Sequence, residues 1–179
     1  MRALFLDRDG VINHDDGYTS RVQDFKFIDG IFDLCRAAVR SGYMLIVVTN
    51  QAGIGRGYYT EQEFAELTAW MCEQFRLEDA PIMDVFFCPY HPLHGKDAYK
   101  KESFDRKPNP GMILRAAQKY RISLHRSIMV GDKDSDMRAA ASAGIAVRCQ
   151  FIPIQERSVL PSNIANHHLT DLRQCIQLL

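Results

Sequence analysis

Phe5-Leu6-Asp7-Arg8-Asp9-Gly10-Val11 lies close to the start of the chain. The apolar run that leads into it, from Ala3 to Leu6, has the length and composition of a buried strand. Asp7 and Asp9 leave the carboxyl end of that strand, which is the edge where open α/β sheets bind ligands. Two carboxylates facing one crevice repel each other, and Mg²⁺, which prefers oxygen ligands, would neutralise them. The alternative is an ordinary Asp-Gly turn with solvated carboxylates, and this stretch by itself leaves both interpretations open.

The next strands repeat the pattern of an apolar run followed by polar side chains. A helix predicted over 30–40 is followed by the apolar run 44–48, which leads into Thr49, Asn50 and Gln51. Strand, helix and strand form a parallel crossover, so Thr49 should emerge at the same sheet edge as Asp7. Further strands are predicted over 83–87, 127–130 and 145–147. The chain therefore has the pattern of an α/β protein with a central, mainly parallel sheet.

Several segments between the strands carry helix signals. Thr60 and Glu63 match a capping box, and Asn109 followed by Pro110 is typical of a helix start. An alanine-rich helix should end at Gly144. From Cys149 onward we expect a long loop and a terminal helix whose apolar residues, Leu172, Ile176 and Leu179, pack on the core. The glycine-rich stretch 53–57 either presents backbone N–H groups around Arg56 or is a flexible connector.

The overall composition limits the classes of partner. The 22 basic residues balance the 22 acidic ones, so no net field points to nucleic acid or to a membrane surface. Five cysteines without a CxxC pair indicate free thiols, and no apolar leader follows Met1, so we expect a cytoplasmic protein. The 179 residues suit one domain, 1–179. We expect a monomer, because no long exposed apolar stripe is evident.

The predicted strand ends together carry the groups needed for phosphoryl transfer. They offer carboxylates at Asp7, Asp9 and Asp132, a hydroxyl at Thr49, and cations at Arg106 and Lys107. In that reaction, positioning and charge neutralisation do most of the catalysis.

In these motifs the chain resembles the haloacid dehalogenase (HAD) superfamily of phosphatases. LDRDG, VVTNQ, the lysine of RKPNPG, and VGDKDSDM occur in order, and the resemblance extends to about residue 148. It implies a three-layer, Rossmann-like fold and an aspartyl-phosphate intermediate on Asp7, with Asp9 as general acid and base. Thr49, Arg106 and Lys107 would act on the phosphoryl group. Mg²⁺ would be held by Asp7, Asp132 and the backbone carbonyl of Asp9.

Other motifs resemble the branch of the superfamily that contains heptose bisphosphate 7-phosphatases and histidinol-phosphate phosphatases. They are FLDRDGVIN, DGY, TNQ followed by GIGRGYYT, CPYHP and RKPNPGM. No large insert separates them, so we expect loops rather than a cap domain to close the site. The resemblance implies substrate contacts from a flap, Asp15, Asp16, Gly17 and Tyr18, and from Asn50, Gln51, Arg106 and Lys133. A bisphosphate needs a second anion site, which Arg56, Arg106 and the lysines at 96, 100 and 101 could supply, although the lysines could instead form a solvated loop face. Asp134 and Asp136 are interpreted as charge and capping at a helix start.

The chain departs from this branch at its structural zinc site. The branch uses a cysteine, a histidine two positions later and a downstream C-x-C, whereas here only Cys88 matches. Tyr90 replaces the histidine, and Ser103 and Asp105 replace the last pair. A structural zinc needs four ligands, so we expect no zinc. His91 and His94 could complete a Cys-x₂-His-x₂-His set without a fourth ligand, or they could face solvent or substrate.

The resemblance to this branch implies removal of the 7-phosphate of D-glycero-D-manno-heptose 1,7-bisphosphate, a step toward nucleotide-activated heptose for lipopolysaccharide or capsule. One alternative is hydrolysis of histidinol phosphate or another small sugar phosphate. The excess of basic residues around the crevice argues against a cationic substrate. A second alternative is a non-catalytic module that binds sugar phosphates, which the intact set of Asp7, Asp9, Lys107 and Asp132 disfavours.

Overall fold

A single six-stranded sheet organises the protein. The computed structural model describes residues 1–153 and 160–179. The strands are β1 (Arg2–Leu6), β2 (Tyr43–Asn50), β3 (Ile82–Cys88), β4 (Ile128–Gly131), β5 (Val147–Phe151) and β6 (His167–Leu169). Their order is β3-β2-β1-β4-β5-β6, and every neighbouring pair is parallel. The predicted parallel sheet is confirmed, and the ends of β1, β2 and β4 are adjacent at one edge.

Helices cross between the strands. They are α1 (Ile31–Arg40), α2 (Ala52–Arg56), α3 (Glu61–Leu77), α4 (Gly111–Tyr120) and α5 (Asp134–Ala143). Short 3₁₀ segments span Val22–Asp24, Asp97–Tyr99, Leu124–Arg126 and Leu172–Leu178. In the described ranges, every helix is too short or too polar to cross a bilayer.

The alternation of β1 divides the core into two apolar layers, one on each face of the sheet. Leu4 and Leu6 point to the face covered by α1, α3 and the terminal 3₁₀ segment. Ala3 and Phe5 point to the face covered by α4 and α5. Since successive side chains of a strand alternate, a strand buried on both faces must be apolar throughout, as β1 is. The predicted three-layer architecture is confirmed, and the described residues contain no large cap domain.

The capping box of α3 is confirmed. The Thr60 hydroxyl oxygen accepts a hydrogen bond from the Glu63 backbone N–H at 3.1 Å, and the Thr60 backbone N–H donates to the Glu63 carboxylate at 2.7 Å. Such a cap stabilises a helix by about 1 kcal/mol. The helix therefore begins as predicted, and its buried stripe is Phe64, Leu67, Met71 and Phe75.

The glycine-rich stretch forms a helix, so the expectation of a flexible connector was wrong. Residues 52–56 make the single turn α2, which ends where Gly57 adopts φ +77°. A Cβ atom on Gly53 would lie 2.3 Å from the ring of Tyr59. The glycine at this position is required for close packing of that ring, and backbone flexibility is not its role.

Other boundaries also differ from expectation. Pro110 occupies the cap position of α4, and the Asn109 amide instead donates to the Ser103 carbonyl at 3.0 Å. The fifth strand begins at Val147 rather than at 145, and β6 was not predicted because three residues give no periodicity.

The expected terminal helix is a 3₁₀ segment. It buries Leu172 and Cys175, whereas Ile176 is 36% exposed. Of the loop predicted from Cys149, residues 154–159 lie outside the described part of the chain.

Candidate active site

A pocket of about 640 Å³ opens at the carboxyl ends of β1 and β2, beside the segments that precede α4 and α5. Its walls include ten of the expected site residues: Asp7, Asp9, Asp15, Gly17, Tyr18, Thr49, Asn50, Arg106, Lys107 and Lys133. Four expected residues do not line it. Asp132 faces an adjoining cavity, Asp16 faces a separate surface groove, Gln51 is buried behind the wall, and Arg56 is half-buried beside the Tyr18 ring.

Asp7 lies buried at the end of β1. Its Oδ1 atom accepts a hydrogen bond from the Arg8 backbone N–H at 2.7 Å and lies 2.9 Å from Nζ of Lys107. Burial raises the pKa of Asp7, and Lys107 partly offsets that rise. With Oδ1 occupied by two donors, Oδ2 is the oxygen available to a ligand.

Lys107 is the central cation of the site and is 3% exposed. Its Nζ atom donates to the Val48 carbonyl at 2.8 Å and lies 2.9 Å from Asp7 and 2.6 Å from Asp136. Burial disfavours the charged amine, but the carboxylates of Asp136 and Asp7 outweigh it and raise the pKa of Lys107. The ammonium therefore remains charged and holds two carboxylates at fixed positions.

The position of Lys107 is set by the neighbouring strand end. The Asn50 amide donates from Nδ2 to the Lys107 carbonyl and accepts at Oδ1 from the Lys107 N–H, both at 3.0 Å. These two bonds join β2 to a segment 57 positions away in sequence. Asn50 was expected to contact substrate. It lines the pocket, and its side-chain amide also fixes the lysine backbone.

Three carboxylates form a cluster that fits a metal ion. Oxygens of Asp7, Asp132 and Asp136 lie within 4.8 Å of one another. Oδ1 of Asp132 is buried and has no hydrogen-bond partner among the described residues. Burial, followed by repulsion from Asp7 and Asp136, raises the pKa of Asp132 to about 8. A buried, unpartnered carboxylate oxygen beside two further carboxylates is the donor set that Mg²⁺ prefers.

Asp136 belongs to this site, so its interpretation as helix-start charge alone was incomplete. One oxygen accepts from the Lys133 backbone N–H at 3.0 Å, as a cap would, while the other pairs with Lys107. Gly131 leaves room for it, because a Cβ there would lie 2.3 Å from the Cβ of Asp136. Asp134 remains at the surface, bonded to Ser162 and Arg138.

Asp9 is surrounded by hydrogen-bond donors. Its Oδ1 atom accepts from Nη2 of Arg8 at 2.7 Å and from the Asn13 amide at 3.0 Å. Its Oδ2 atom accepts from the Gln51 amide at 2.9 Å. Arg8 is 1% exposed and also donates to the Thr19 carbonyl. Sequence reasoning missed the structural role of Arg8, although a charged residue between two aspartates in a buried motif was a signal for it.

Gln51 faces inward, away from the pocket wall, where substrate contact was expected. It is 1% exposed, and its Nε2 atom donates to both Asp9 and Thr49, the latter at 2.8 Å. The hydroxyl of Tyr59 donates to its Oε1 atom at 2.5 Å. Both amide hydrogens are thus used within the protein, which is why the side chain turns inward.

The flap reaches the far side of the pocket through one ion pair and one aromatic contact. The Asp15 carboxylate lies 3.0 Å from Nζ of Lys133. The Tyr18 ring packs edge-on against Tyr58 with centroids 4.7 Å apart, and the Arg56 guanidinium lies 5.6 Å from the Tyr18 ring centroid. Asp16 points away, 3.9 Å from Lys26 at the exposed surface.

Arg106 lines the pocket on the side of β3 and contacts the loop that follows Cys88. Nη1 of Arg106 donates to the Tyr90 carbonyl at 3.2 Å. Cys88 is buried, and burial raises the pKa of its thiol. The His91 ring accepts from the backbone N–H groups of Leu93 and His94 at 3.1 Å through Nδ1, so that nitrogen is already occupied.

Comparison with known proteins agrees with this geometry. The HAD-hydrolase-like family profile matches residues 104–148. The D-glycero-alpha-D-manno-heptose-1,7-bisphosphate 7-phosphatase of Burkholderia mallei is 58% identical over 144 residues, 80% of this chain and 76% of that protein. The D-glycero-beta-D-manno-heptose-1,7-bisphosphate 7-phosphatase of Escherichia coli K12 is 39% identical over 178 residues, 98% of this chain and 93% of that protein.

A solved structure extends the comparison to the whole fold. The D,D-heptose 1,7-bisphosphate phosphatase of B. bronchiseptica, complexed with magnesium and phosphate, superposes with a TM-score of 0.82. It is 26% identical, and the alignment covers all of both chains. The chain therefore belongs to the HAD-like hydrolase family that contains the D-glycero-D-manno-heptose-1,7-bisphosphate 7-phosphatases.

Proposed function

We propose that the chain is a Mg²⁺-dependent phosphatase that removes the 7-phosphate of D-glycero-D-manno-heptose 1,7-bisphosphate, in the biosynthesis of nucleotide-activated heptose. The observation that carries this proposal is the contact of Lys107 with both Asp7 and Asp136, beside Asp132, at the floor of an open pocket. The names of the relatives support the choice of sugar.

The reaction divides into two displacements at phosphorus. Oδ2 of Asp7 attacks the phosphoryl group, and the bond to the sugar oxygen breaks while Asp9 gives that oxygen its proton. Water then attacks the aspartyl-phosphate, Asp9 takes a proton from it, and the bond to Asp7 breaks to release inorganic phosphate. Asp9 returns to its protonated form, ready for the next substrate.

The residues around the transferring group stabilise its negative charge. Lys107 contributes a fixed positive charge beside Asp7, and the Thr49 hydroxyl donates a hydrogen bond to the phosphoryl oxygens. Arg106 contributes a second cation from the β3 side of the pocket. Because these groups are held by Val48, Asn50 and Gln51 before substrate arrives, little reorganisation is needed at the moment of reaction.

The carboxylate cluster would hold the metal. Asp7, Asp132 and the backbone carbonyl of Asp9 are the proposed ligands, and Asp136 keeps Lys107 next to them. When bound, Mg²⁺ supplies Lewis-acid neutralisation of phosphoryl charge. The unpartnered Oδ1 atom of Asp132 supports this assignment, because a cation would satisfy it.

The sugar and the second phosphate would bind toward the mouth of the pocket. Asp15, Gly17 and Tyr18 of the flap line the mouth and would contact the sugar hydroxyls. Lys133 and Arg106 also line it and are the nearest cations for the 1-phosphate. Arg56 would not touch the substrate directly. Its guanidinium lies 5.6 Å from the ring centroid of Tyr18 and would help to hold that ring in place. Relatives named for the alpha and for the beta anomer both occur, so the assay must include each.

We further propose a zinc-free, single-domain monomer that acts in the cytoplasm. The Cys88 loop supports the first point, because Tyr90 stands where a ligand would be needed and His91 uses Nδ1 within its own loop. All five cysteines are unbridged, which supports a reducing compartment.

Side-by-side kinetics test the proposal. Turnover of both heptose 1,7-bisphosphate anomers, histidinol phosphate and p-nitrophenyl phosphate would be measured with Mg²⁺ and with a chelator. We expect the highest kcat/KM on a heptose bisphosphate and none after chelation. Faster turnover of histidinol phosphate would reject the substrate, and inactivity on all four would reject the enzyme.

A further inference from the structure

One buried amide connects three polar groups behind the pocket. Gln51 donates from Nε2 to Asp9 at 2.9 Å and to Thr49 at 2.8 Å, and its Oε1 atom accepts from the Tyr59 hydroxyl at 2.5 Å. Gln51 and Tyr59 are both buried. The three bonds form a chain from Tyr59 through Gln51 to two residues of the proposed reaction.

The direction of this chain follows from the chemistry of each group. Nε2 of Gln51 lies between Oδ2 of Asp9 and Oγ1 of Thr49 and donates to both, so the nitrogen end of the amide faces these two residues. An amide rotated by half a turn would place Oε1 against the Asp9 carboxylate. The Tyr59 hydroxyl opposes that rotation because it donates to Oε1, and burial raises the pKa of Tyr59 to about 12, which keeps the donor proton in place.

The same amide orients the hydroxyl of Thr49. Oγ1 of Thr49 accepts a hydrogen bond from Nε2 of Gln51, so one lone pair is occupied from behind. The hydroxyl proton then remains available to the pocket, where a phosphoryl oxygen needs a donor. Gln51 therefore influences the pocket without lining it.

The backbone provides a fitted space for the Tyr59 ring. A Cβ on Gly53 would lie 2.3 Å from that ring, so only glycine admits the side chain at its present depth. We propose that Tyr59 is a positioning residue that orients Asp9 and Thr49 through Gln51. This inference rests on the proposed phosphatase function.

The leaving group distinguishes positioning from general structural support. Loss of a sugar alkoxide requires a proton from Asp9, whereas p-nitrophenolate leaves without one. In Tyr59→Phe we expect kcat on heptose 1,7-bisphosphate to fall about tenfold to a hundredfold with little change in KM, since small displacements of a reacting group reduce rates to this extent. On p-nitrophenyl phosphate we expect the kcat of Tyr59→Phe to fall about threefold or less, because only the orientation of the Thr49 hydroxyl is disturbed in that reaction. The ratio of the two kcat values does not depend on the fraction of folded enzyme.

The matched control is Tyr120→Phe. It removes a hydroxyl that donates to Asp84 at 2.9 Å, outside the pocket, and should leave the ratio unchanged. A second variant, Gln51→Met, should shift the ratio at least as far as Tyr59→Phe. The double variant should be no worse than Gln51→Met alone, because Tyr59 acts through Gln51.

The outcomes separate the inference from the function beneath it. Wild-type enzyme that hydrolyses neither ester removes the proposed function and this inference with it. Active wild type with an unchanged ratio in Tyr59→Phe, or additive losses in the double variant, overturns the inference alone.

Discussion

Replacement of Asp132 by asparagine should stabilise the metal-free protein. Its carboxyl has an ordinary pKa of 3.8 and a pKa of about 8 in the fold. Because the folded value is raised, ionisation opposes folding above pH 3.8 and does so increasingly up to pH 8. Each pH step in that window corresponds to about 1.4 kcal/mol, which sets a limit of about 4 kcal/mol at pH 7.

Asp7 and Asp136 share this repulsion with Asp132, so we expect about half of that limit, roughly 2 kcal/mol, from the single substitution. For a chain of this length the corresponding rise in Tm is about 4–8 °C. Calorimetry or fluorescence melting at pH 7.5, with a chelator present, measures it. The rise should shrink as the pH is lowered toward 5.

Magnesium should reverse the order of the Tm values of the wild type and Asp132→Asn. Several millimolar Mg²⁺ should raise the Tm of the wild type, because a ligand that binds only the folded state stabilises it, and should leave Asp132→Asn unchanged. The matched control is Asp134→Asn, two residues away at the surface. Hydrogen bonds from Ser162 and Arg138 lower the pKa of the Asp134 carboxyl, so Asp134→Asn should not raise the Tm. A lower metal-free Tm in Asp132→Asn, or an undiminished response to Mg²⁺, would refute the reasoning.

Three further outcomes are expected. Lys107→Met should lower the free energy of unfolding, measured in urea, by about 3 kcal/mol, since it leaves two buried carboxylates unpaired. The control is Lys119→Met at an exposed position, which breaks one ion pair and should lower that free energy by less than about 1 kcal/mol. Equal losses in the two variants would contradict this prediction. Asp7→Asn should abolish turnover at an unchanged fold by circular dichroism, and a near wild-type rate would exclude it as nucleophile. Elemental analysis of purified protein should find no stoichiometric zinc; about one per chain would show that the Cys88 loop binds it.

The sheet and the location of the pocket were predictable because their signals are local and repeated. Apolar runs followed by polar residues marked the ends of β1 and β2, and the right-handed crossover rule then brought Asp7 and Thr49 to one edge. Lys107 could be counted among the cations near the strand ends, but its role at the phosphoryl group could be assigned only through the resemblance, because nothing in its own neighbourhood distinguishes it from a surface lysine. Its burial depends on Asn50, a contact across 57 positions that no local pattern encodes.

The roles of Asp136 and Gln51 show where sequence reasoning stopped. An aspartate in the first turn of a helix is usually a cap, and Asp136 is one, but its second oxygen also pairs with Lys107. Its place four residues after Asp132, where the chain passes from the end of β4 into α5, was the available signal. Gln51 follows Asn50 at the end of β2, and adjacent residues on a strand face opposite ways. Which of the two turned inward could not be decided without the position of Tyr59.

The two hydrogen bonds between the Asn50 side chain and the Lys107 backbone fix the catalytic lysine independently of the residues that would contact the sugar. Both bonds come from the end of β2. Changes of length or sequence in the loop 89–105, which follows β3 and supplies none of the side chains bonded to Asp7, Asp9 or Lys107, would reshape that side of the pocket while the charges below keep their arrangement. An ancestor built this way could adopt new substrates by exchanging a rim segment, without rebuilding the reactive floor.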